Sequence, residues 1–444
     1  MNNHFLKKML STVAVSSMLL TAVPSGATDL KEAVDGDYGY LENLYKWFHA
    51  NPELSFQEDD TSARVAAELE KLGIDVTTGV GGYGVVGVLE NGTGPTVLVR
   101  ADMDGLPVPE KSGKPYASKA IGKGEQGEDL PVMHACGHDV HMTSMIGTAR
   151  RLVDMKDQWS GTVVFVGQPA EERVGGAIAM IEDGLFERFP LPDYNLALHV
   201  GADEAGKVGI TPGYALANVD TVDITVYGIG GHGSTPHLTK DPVVIASQII
   251  VALQTIVSRE ISPQEPGVIT VGSFHAGLKH NIISDRAELK LTVRSYSDET
   301  RAKLLEGIKR ISENMGRVAG LPEDMLPKVH FREEEHAPAT YNDPDLTLRM
   351  EKTLTAAIGE DLVARRPAVM GAEDFSHFSR TEHKIPSFIF WMGGYNKETI
   401  ESYSSKGEKV PANHSPYFAP DPEKTLRIGT QAMTAAVLDL LSKK

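Results

Sequence analysis

Four short apolar runs constrain the fold of this chain most strongly. They lie at residues 96–99, 162–166, 195–198 and 388–391, and helical patterns of apolar residues accompany them, as at 41–48 and 61–72. Apolar runs without polar alternation are typical of strands that are covered on both faces of a sheet. The pattern therefore predicts a two-domain α/β protein whose larger domain contains a mixed sheet with helices on both faces.

A second kind of pattern occupies residues 218–333. It predicts, in order, a strand, a helix, two strands, a helix and a strand at residues 222–227, 241–259, 267–274, 287–294, 298–318 and 328–331. This β-α-β-β-α-β order is that of a ferredoxin-like unit, which we interpret as a lid or dimerisation domain inserted into the larger domain. The predicted parts are a signal peptide at 1–27, the first part of the larger domain at 28–217, the lid at 218–333 and the second part of the larger domain at 334–444.

The N-terminus has the order of features that export signals share. Lys7 and Lys8 are basic, residues 9–23 are apolar, and residues 25–27 are small. This order predicts an exported protein, periplasmic or secreted, although a buried N-terminal helix is the alternative. No later stretch is expected to span a bilayer, so we expect no membrane insertion. The net charge of −17 argues against nucleic acid as a partner.

The single cysteine, Cys136, lies two residues before His138. An intrachain disulfide is therefore excluded, and a thiol beside an imidazole is a candidate metal-ligand pair. Residues two apart on a helix point in nearly opposite directions, so the pair is expected in a loop, where Gly137 permits a bend. Alone, such a pair is usually a coincidence of sequence.

Further candidate ligands follow the apolar runs. Glu171 and Glu172 come after the second run, and His199 comes at the end of the third, where ligands of open α/β sheets bind. Of two adjacent glutamates, one can bind metal while the other acts as a general base. His414 lies near the end of the chain; His199 could instead be a core histidine. Five ligands would suit two metal ions, and a thiolate with imidazoles favours zinc or a neighbouring transition metal over magnesium or calcium.

Several motifs resemble those of a known family. They lie at residues 49–54, 100–107, 134–141, 168–172, 231–237 and 371–375. With them the chain resembles the zinc-dependent aminoacylase and carboxypeptidase G family, in the branch of hippurate hydrolases and auxin-conjugate amidohydrolases. In other branches residue 102 is a histidine and residue 136 an aspartate, and here Gly105 and Val140 also depart from the common residues. Substrate preference therefore does not follow from the resemblance.

The resemblance implies a role for each site residue. The metal ligands would be Cys136 as a bridge, His138, Glu172, His199 and His414. They would hold two divalent ions per subunit, zinc or manganese, with cobalt or nickel as alternatives. The other roles would be general base for Glu171, oxyanion stabilisation across a dimer interface for His232, substrate-carboxylate binding for Asn281 and Arg294, and orientation of ligands for Asp104 and Glu373. For Arg294, a surface ion pair is the alternative.

The function that the resemblance implies is metal-dependent hydrolysis of the amide bond of N-acyl amino acids, including hippurate-like, N-acetyl and aryl-acyl compounds. A dipeptidase or carboxypeptidase could use the same site. A non-catalytic exported protein that binds metal or peptide is a third hypothesis, and the presence of Glu171 argues against it.

Overall fold

The computed structural model describes residues 25–443. The predicted signal peptide lies outside this range, except that residues 25–27 begin the first helix. The helices are α1 Ser25–Ala50, α2 Asp59–Glu70, α3 His138–Asp154, α4 Gly176–Glu182, α5 Leu185–Arg188, α6 Pro242–Thr255, α7 Asp298–Val318, α8 Pro344–Ile358, α9 Ser376–Arg380, α10 Lys397–Ser405 and α11 Pro422–Leu440.

The strands are numbered along the same part of the chain. They are β1 Asp75–Val80, β2 Gly84–Asn91, β3 Thr96–Asp102, β4 Ile121–Lys123, β5 Asp129–Pro131, β6 Gly161–Gln168, β7 Tyr194–Glu204, β8 Val208–Ile210, β9 Gly213–Leu216, β10 Val219–Tyr227, β11 Gly231–His232, β12 Gly267–Ala276, β13 Ile282–Ile283, β14 Arg286–Ser295, β15 Lys328–Ala337, β16 Thr340–Asn342, β17 Val363–Arg365 and β18 Ser387–Tyr395.

A mixed eight-stranded sheet forms the catalytic domain. Its strand order is β1-β2-β6-β3-β7-β18-β8-β17. The neighbours β6, β3, β7 and β18 run parallel at its centre, and each carries one of the four apolar runs. The carboxyl ends of these strands therefore meet at one edge of the sheet, as the sequence pattern predicts.

Alternate residues of the central strands pack into two separate cores. On β3, Val97 and Val99 join a core with α1, α2, α3, α8 and α11, whereas Leu98 joins a second core with α4, α5 and α9. This alternation follows from the two-residue repeat of a strand. Because each fully buried valine or leucine contributes about 1.5–3 kcal/mol, covering both faces explains why these strands are apolar without interruption.

A separate antiparallel sheet, in the order β12-β14-β10-β15, forms the lid. Helices α6 and α7 pack on one of its faces through a core of their own. The first strand of the segment thus lies between the third and the fourth, which is the ferredoxin-like arrangement, and the predicted fold class is confirmed. Strand β15 runs to Ala337, beyond the predicted limit at 333. The domain limits themselves stay a prediction.

The chain enters and leaves the lid at neighbouring points. Strand β9 precedes the lid and β16 follows it, and the two pair through Leu216 and Thr340. Among the described residues, one helical stretch in the lid, Pro242–Glu260, is long and apolar enough to cross a membrane by length and composition. We expected no later stretch to be long and apolar enough to span a bilayer, and by length and composition this expectation was wrong. The polar residues within the stretch are mostly uncharged, so its mean hydropathy stays high. A core helix of a soluble protein passes the same test, and Ile245, Ile249 and Leu253 of this helix pack in the lid core.

Candidate functional site

The loop before α3 places Cys136 and His138 at the carboxyl edge of the catalytic sheet. Cys136 lies in the loop and His138 is the first residue of the helix. Gly137 between them has φ of 90°, and a Cβ atom there would lie 2.2 Å from a methyl carbon of Val200. Glycine alone tolerates both conditions, so the bend that turns the thiol and the imidazole to one side depends on it.

His199 reaches the same place from inside β7. The prediction that it ends a strand was wrong, because β7 continues to Glu204. The pairing with β3 ends at Ala197, whereas β18 pairs with β7 as far as Glu204. His199 therefore lies just beyond the part of β7 that β3 covers, and on its other side it contacts the ring of Trp391, with 4.6 Å between ring centroids.

The structure brings the five predicted ligands together. Cys136 Sγ lies 3.6 Å from His199 Nε2, His138 Nε2 lies 3.9 Å from Glu172 Oε1, and His414 Nε2 lies 3.5 Å from Glu172 Oε2. Ligands of one tetrahedral zinc ion are separated by about 3.5 Å, given bond lengths of about 2.0–2.3 Å. His138 Nε2 and Glu172 Oε1 are buried without a hydrogen-bond partner among residues 25–443. The donor set therefore fits divalent cations.

Hydrogen bonds fix the tautomers of two candidate ligands. His138 donates its Nδ1–H to Asp104 Oδ1 at 3.1 Å, and His199 donates its Nδ1–H to the carbonyl oxygen of Val200 at 2.8 Å. In the neutral form of each ring, Nε2 then carries the lone pair and faces the other ligands, the arrangement that metal-binding histidines generally show. Asp104 Oδ2 also accepts hydrogen bonds from the N–H of Glu172 at 3.0 Å and the hydroxyl of Ser55 at 2.6 Å.

A strained turn carries Glu171 and Glu172. The two residues begin a 3₁₀ turn, Glu171–Arg173, and the residues on either side of it, Ala170 and Val174, both have φ of 49°. A left-handed conformation costs about 1–2 kcal/mol for a residue with a Cβ atom. Such strain at a functional site persists only where the surroundings hold it.

The distant His414 is tied to the Cys136 loop by its neighbour. Asn413 donates hydrogen bonds from Nδ2 to the carbonyl oxygens of Cys136 at 2.9 Å and Val200 at 3.0 Å. The N–H of His414 donates to the carbonyl oxygen of Ala135 at 2.8 Å, and His414 has φ of 68°. Sequence reasoning identified His414 and missed Asn413, whose role depends on contacts with residues far away in the chain.

Carboxyl groups crowd the floor of the site. Burial, with repulsion from Glu373 and Glu172, raises the pKa of Glu171 well above its ordinary value. Burial also raises the pKa of Glu172 to about 8, although His138 opposes the rise, and it raises that of Asp374 to about 7. Burial and the two glutamates of the turn raise the pKa of the Cys136 thiol. Divalent cations would offset this repulsion, and they would displace the thiol proton on binding.

Two buried residues near the predicted ligands, His141 and Asp102, form hydrogen bonds within the protein, and together with His138 they make a further group that could hold a metal ion. His141 uses both ring nitrogens, since Nδ1 donates to Asp102 Oδ1 at 2.5 Å and Nε2 accepts from the N–H of Val200 at 2.9 Å. Asp102 Oδ2 accepts from the buried guanidinium of Arg100 at 2.7 Å. Arg100 also donates to Glu373 Oε1 at 2.7 Å, so the predicted orienting residue Glu373 belongs to this network. In the sequence, the signal for this hydrogen-bond network was Arg100, a charged residue directly after the apolar run 96–99.

A cavity of about 570 Å³ opens above these groups and is lined by both domains. Arg294 enters it from the lid. Its Nη1 donates to the carbonyl oxygen of Met370 at 2.9 Å, and within the described chain burial alone, with no carboxylate neighbour, shifts its pKa, which is lowered. The apolar part of the cavity wall includes Leu216, Ala372 and Trp391.

Two predicted site residues do not reach this cavity. His232 and Asn281 are exposed on the lid, where the short strands β11 and β13 pair, and neither lines the cavity wall. His232 Nδ1 accepts a hydrogen bond from the N–H of Ser234 at 3.1 Å. The proton of a neutral His232 is therefore on Nε2, which is available as a donor.

Comparisons with known proteins identify the family of this chain. The sequence pattern of peptidase family M20/M25/M40 matches residues 98–439. Thermostable carboxypeptidase 2 of Saccharolobus solfataricus is 38% identical over 94% of this chain and 100% of its own length. Hippurate hydrolase of Campylobacter jejuni is 36% identical over 86% of this chain and 95% of its own.

A solved structure extends the likeness to the whole fold. The crystal structure of the Bacillus subtilis YXEP protein, a dinuclear metal binding peptidase from the M20 family, matches with a TM-score of 0.72 and 28% identity, covering 92% of this chain and 99% of that one. The chain belongs to peptidase family M20/M25/M40, as its motifs implied, and it is a hydrolase of that family's amidohydrolase type.

Proposed function

We propose that the protein cleaves the amide bond of N-acyl amino acids and releases a carboxylic acid and a free amino acid. The observation that carries the proposal is the meeting of one thiol, three imidazoles and one carboxylate beside a second carboxyl group, Glu171, at the floor of the cavity. The relative named hippurate hydrolase supports it, because hippurate is an N-acyl amino acid.

Five residues would hold two divalent ions: Cys136, His138, Glu172, His199 and His414. Cys136 is the member common to the group with His138 and His199 and the group with Glu172 and His414, which supports a bridging role. The sulfur, nitrogen and oxygen donors suit zinc or manganese, with cobalt or nickel as alternatives. When bound, such ions polarise a carbonyl group and lower the pKa of water.

Glu171 is the general base of this proposal. It accepts a proton from water while the water oxygen attacks the amide carbonyl carbon, and it returns that proton to the nitrogen as the C–N bond breaks. Its side chain lines the cavity and lies 3.8 Å from His138 Nε2 through Oε2. Arg294, half-buried and without a carboxylate partner in the described chain, would bind the substrate carboxylate.

His232 and Asn281 would act in the site of a partner subunit, Asn281 on the substrate carboxylate and His232 as a donor to the oxyanion. The support for a homodimer through the lid is twofold. Both residues lie outside the cavity of their own subunit, and the lid exposes large apolar side chains, among them Val251 at 72% and, next to Asn281 in the chain, Ile282 at 53%. Sedimentation as a monomer at micromolar concentration would contradict this arrangement.

The variant Glu171→Gln tests the function. It should bind zinc like the wild type and lose turnover by about 10²–10⁴-fold, since general-base catalysis contributes that much. Glu172→Gln is the matched control one residue away, and it should lose zinc affinity. Substantial turnover by Glu171→Gln would contradict the assignment of the base.

A carboxypeptidase or dipeptidase is the second candidate, favoured by the 38% identity to thermostable carboxypeptidase 2. Amine release from N-acetyl-, N-benzoyl- and indoleacetyl-amino acids and from dipeptides, with zinc, manganese or a chelator, separates the two. Metal-dependent release from acyl amino acids would support our proposal, whereas release from dipeptides alone would favour a peptidase.

We also propose that the protein is exported. The support is the charge and apolar pattern of residues 1–27. N-terminal sequencing of the protein from periplasm and medium tests it, and a mature chain that retains Met1 would contradict it.

A further inference from the structure

We propose that Glu58 is a positioning residue that holds the turn carrying Glu171 and Glu172 in its working shape. The inference rests on the function proposed above and concerns the same site. Glu58 is fully buried, and its Oε1 accepts a hydrogen bond from the N–H of Ala170 at 2.8 Å. Its Oε2 has no hydrogen-bond partner within residues 25–443. The side-chain hydrogen bond of Glu58 thus goes to Ala170, the residue that directly precedes the turn.

The backbone on either side of the turn is strained, so contacts from other parts of the chain are needed to stabilise it. Ala170 and Val174 bracket Glu171–Arg173 with φ of 49° each. Glycine adopts this conformation freely, but residues with a Cβ atom rarely do. Without a hold, residue 170 would gain by relaxing to a right-handed conformation, which would rotate the following glutamates away from the other ligands.

Glu58 is not needed by its own helix. It occupies the N-cap position of α2, yet its side chain accepts no hydrogen bond from that helix. Glu53 serves the helix instead, because its carboxylate accepts from the N–H groups of Asp60 at 3.2 Å and Thr61 at 2.7 Å. The carboxyl group of Glu58 is thereby left for Ala170.

A second carboxylate holds the turn from the other side. Asp104 Oδ2 accepts from the N–H of Glu172 at 3.0 Å. The two contacts thus fix the peptide unit that precedes Ala170 and the peptide unit between Glu171 and Glu172. This explains how adjacent side chains can be kept in different directions, one toward the ligand cluster and one toward the cavity.

The test compares Glu58→Met with Glu58→Gln. The two side chains have similar length, but only glutamine keeps an oxygen that can accept from Ala170. Zinc affinity is measured by competition with a chelating indicator, the cobalt form is examined for the absorption of a thiolate ligand, and kcat and KM are measured on the holoenzyme. Glu58→Met should weaken zinc binding and lower kcat by about 10–100-fold with little change in KM, while Glu58→Gln stays within about threefold of wild type.

A rescue variant and a control separate positioning from general stability. Adding Ala170→Gly to Glu58→Met should restore zinc affinity by about threefold or more, because glycine needs no hold in a left-handed conformation. Glu68→Met is the control: Glu68 is a buried carboxyl group on the same helix, hydrogen-bonded to Tyr40 and Arg64. It should lower thermal stability and leave zinc affinity unchanged.

The outcomes that overturn the inference are specific. One is that Glu58→Met and Glu58→Gln have the same zinc affinity and the same kcat. The other is that adding Ala170→Gly to Glu58→Met does not restore zinc affinity. If Glu58→Met does not fold, Glu58→Asp carries the same expectation, since it keeps the carboxyl group and is too short to reach Ala170. Turnover by Glu171→Gln would overturn the proposed function instead, and the zinc affinities of the Glu58 variants would not depend on that result.

Discussion

Replacing Asp104 by asparagine should detach one of the three groups that this carboxylate holds. Oδ1 accepts from His138 Nδ1 at 3.1 Å, and Oδ2 accepts from the hydroxyl of Ser55 at 2.6 Å and the N–H of Glu172 at 3.0 Å. All three partners are donors, whereas asparagine offers one oxygen and one NH₂ group. Neither orientation of the amide can satisfy them all.

Both orientations damage the metal centre. If the amide oxygen faces Ser55 and Glu172, the NH₂ group faces His138 Nδ1, and the imidazole must then carry its proton on Nε2, the atom aimed at the other ligands. If the amide is turned, the N–H of Glu172 faces another donor. A hydrogen bond to a charged group contributes about 1.5–3 kcal/mol, so zinc affinity should fall by about 10–100-fold.

Zinc titration against a competing chelator at neutral pH measures this loss, and thermal unfolding checks that the variant is folded. Ser55→Ala is the matched control: it removes one donor and leaves both oxygens in place, so it should weaken zinc binding by about threefold at most. Zinc affinity of Asp104→Asn equal to that of the wild type would refute the reasoning from acceptor number.

Three other perturbations test separate features. Arg294→Met should raise KM by about 10–100-fold for substrates with a free carboxylate and leave KM unchanged for the corresponding amides; an equal change for both would contradict carboxylate binding. Hydrogen peroxide should inactivate the zinc-free protein irreversibly through Cys136 while zinc protects it, as residual activity after reloading will show; equal inactivation would argue against ligation. Hydrogen bonds to Asp139 and Glu110 outweigh burial and raise the pKa of His49 to about 9. Because the pKa of His49 in the folded protein lies above the unfolded value of about 6.5, its contribution to the free energy of unfolding is complete below about pH 6.5. This contribution is lost as the pH rises toward 9, by up to about 1.4 kcal/mol per pH unit. Denaturant unfolding of the wild type and His49→Gln checks this, and parallel curves would contradict it.

The fold could be predicted because its main signals are local. Apolar runs identify strands covered on both faces, and the β-α-β-β-α-β order of the lid follows from spacing within about a hundred residues. The end of β7 was predicted too early, because the residues that extend it pair with β18, far away in the sequence.

The supports of the candidate site could not be predicted in the same way. His141 and Asn413 act through hydrogen bonds to partners that only the folded chain brings near, such as the backbone of Val200. Glu58 reads in the sequence as one more acidic residue before a helix. The left-handed backbone of Ala170 carries no signal in the sequence at all, since alanine does not favour it.

The placement of the lid within the catalytic domain sets an order of events during synthesis. Residues 219–337 can fold as soon as they are made, because the lid has its own core and its ends are adjacent. The catalytic sheet must wait, since its central strand β18 and the helix α11 that packs against α1 and α3 come from the end of the chain. His414 belongs to that last portion. A nascent chain that has not yet reached these residues therefore lacks both a complete sheet and one of the five predicted ligands.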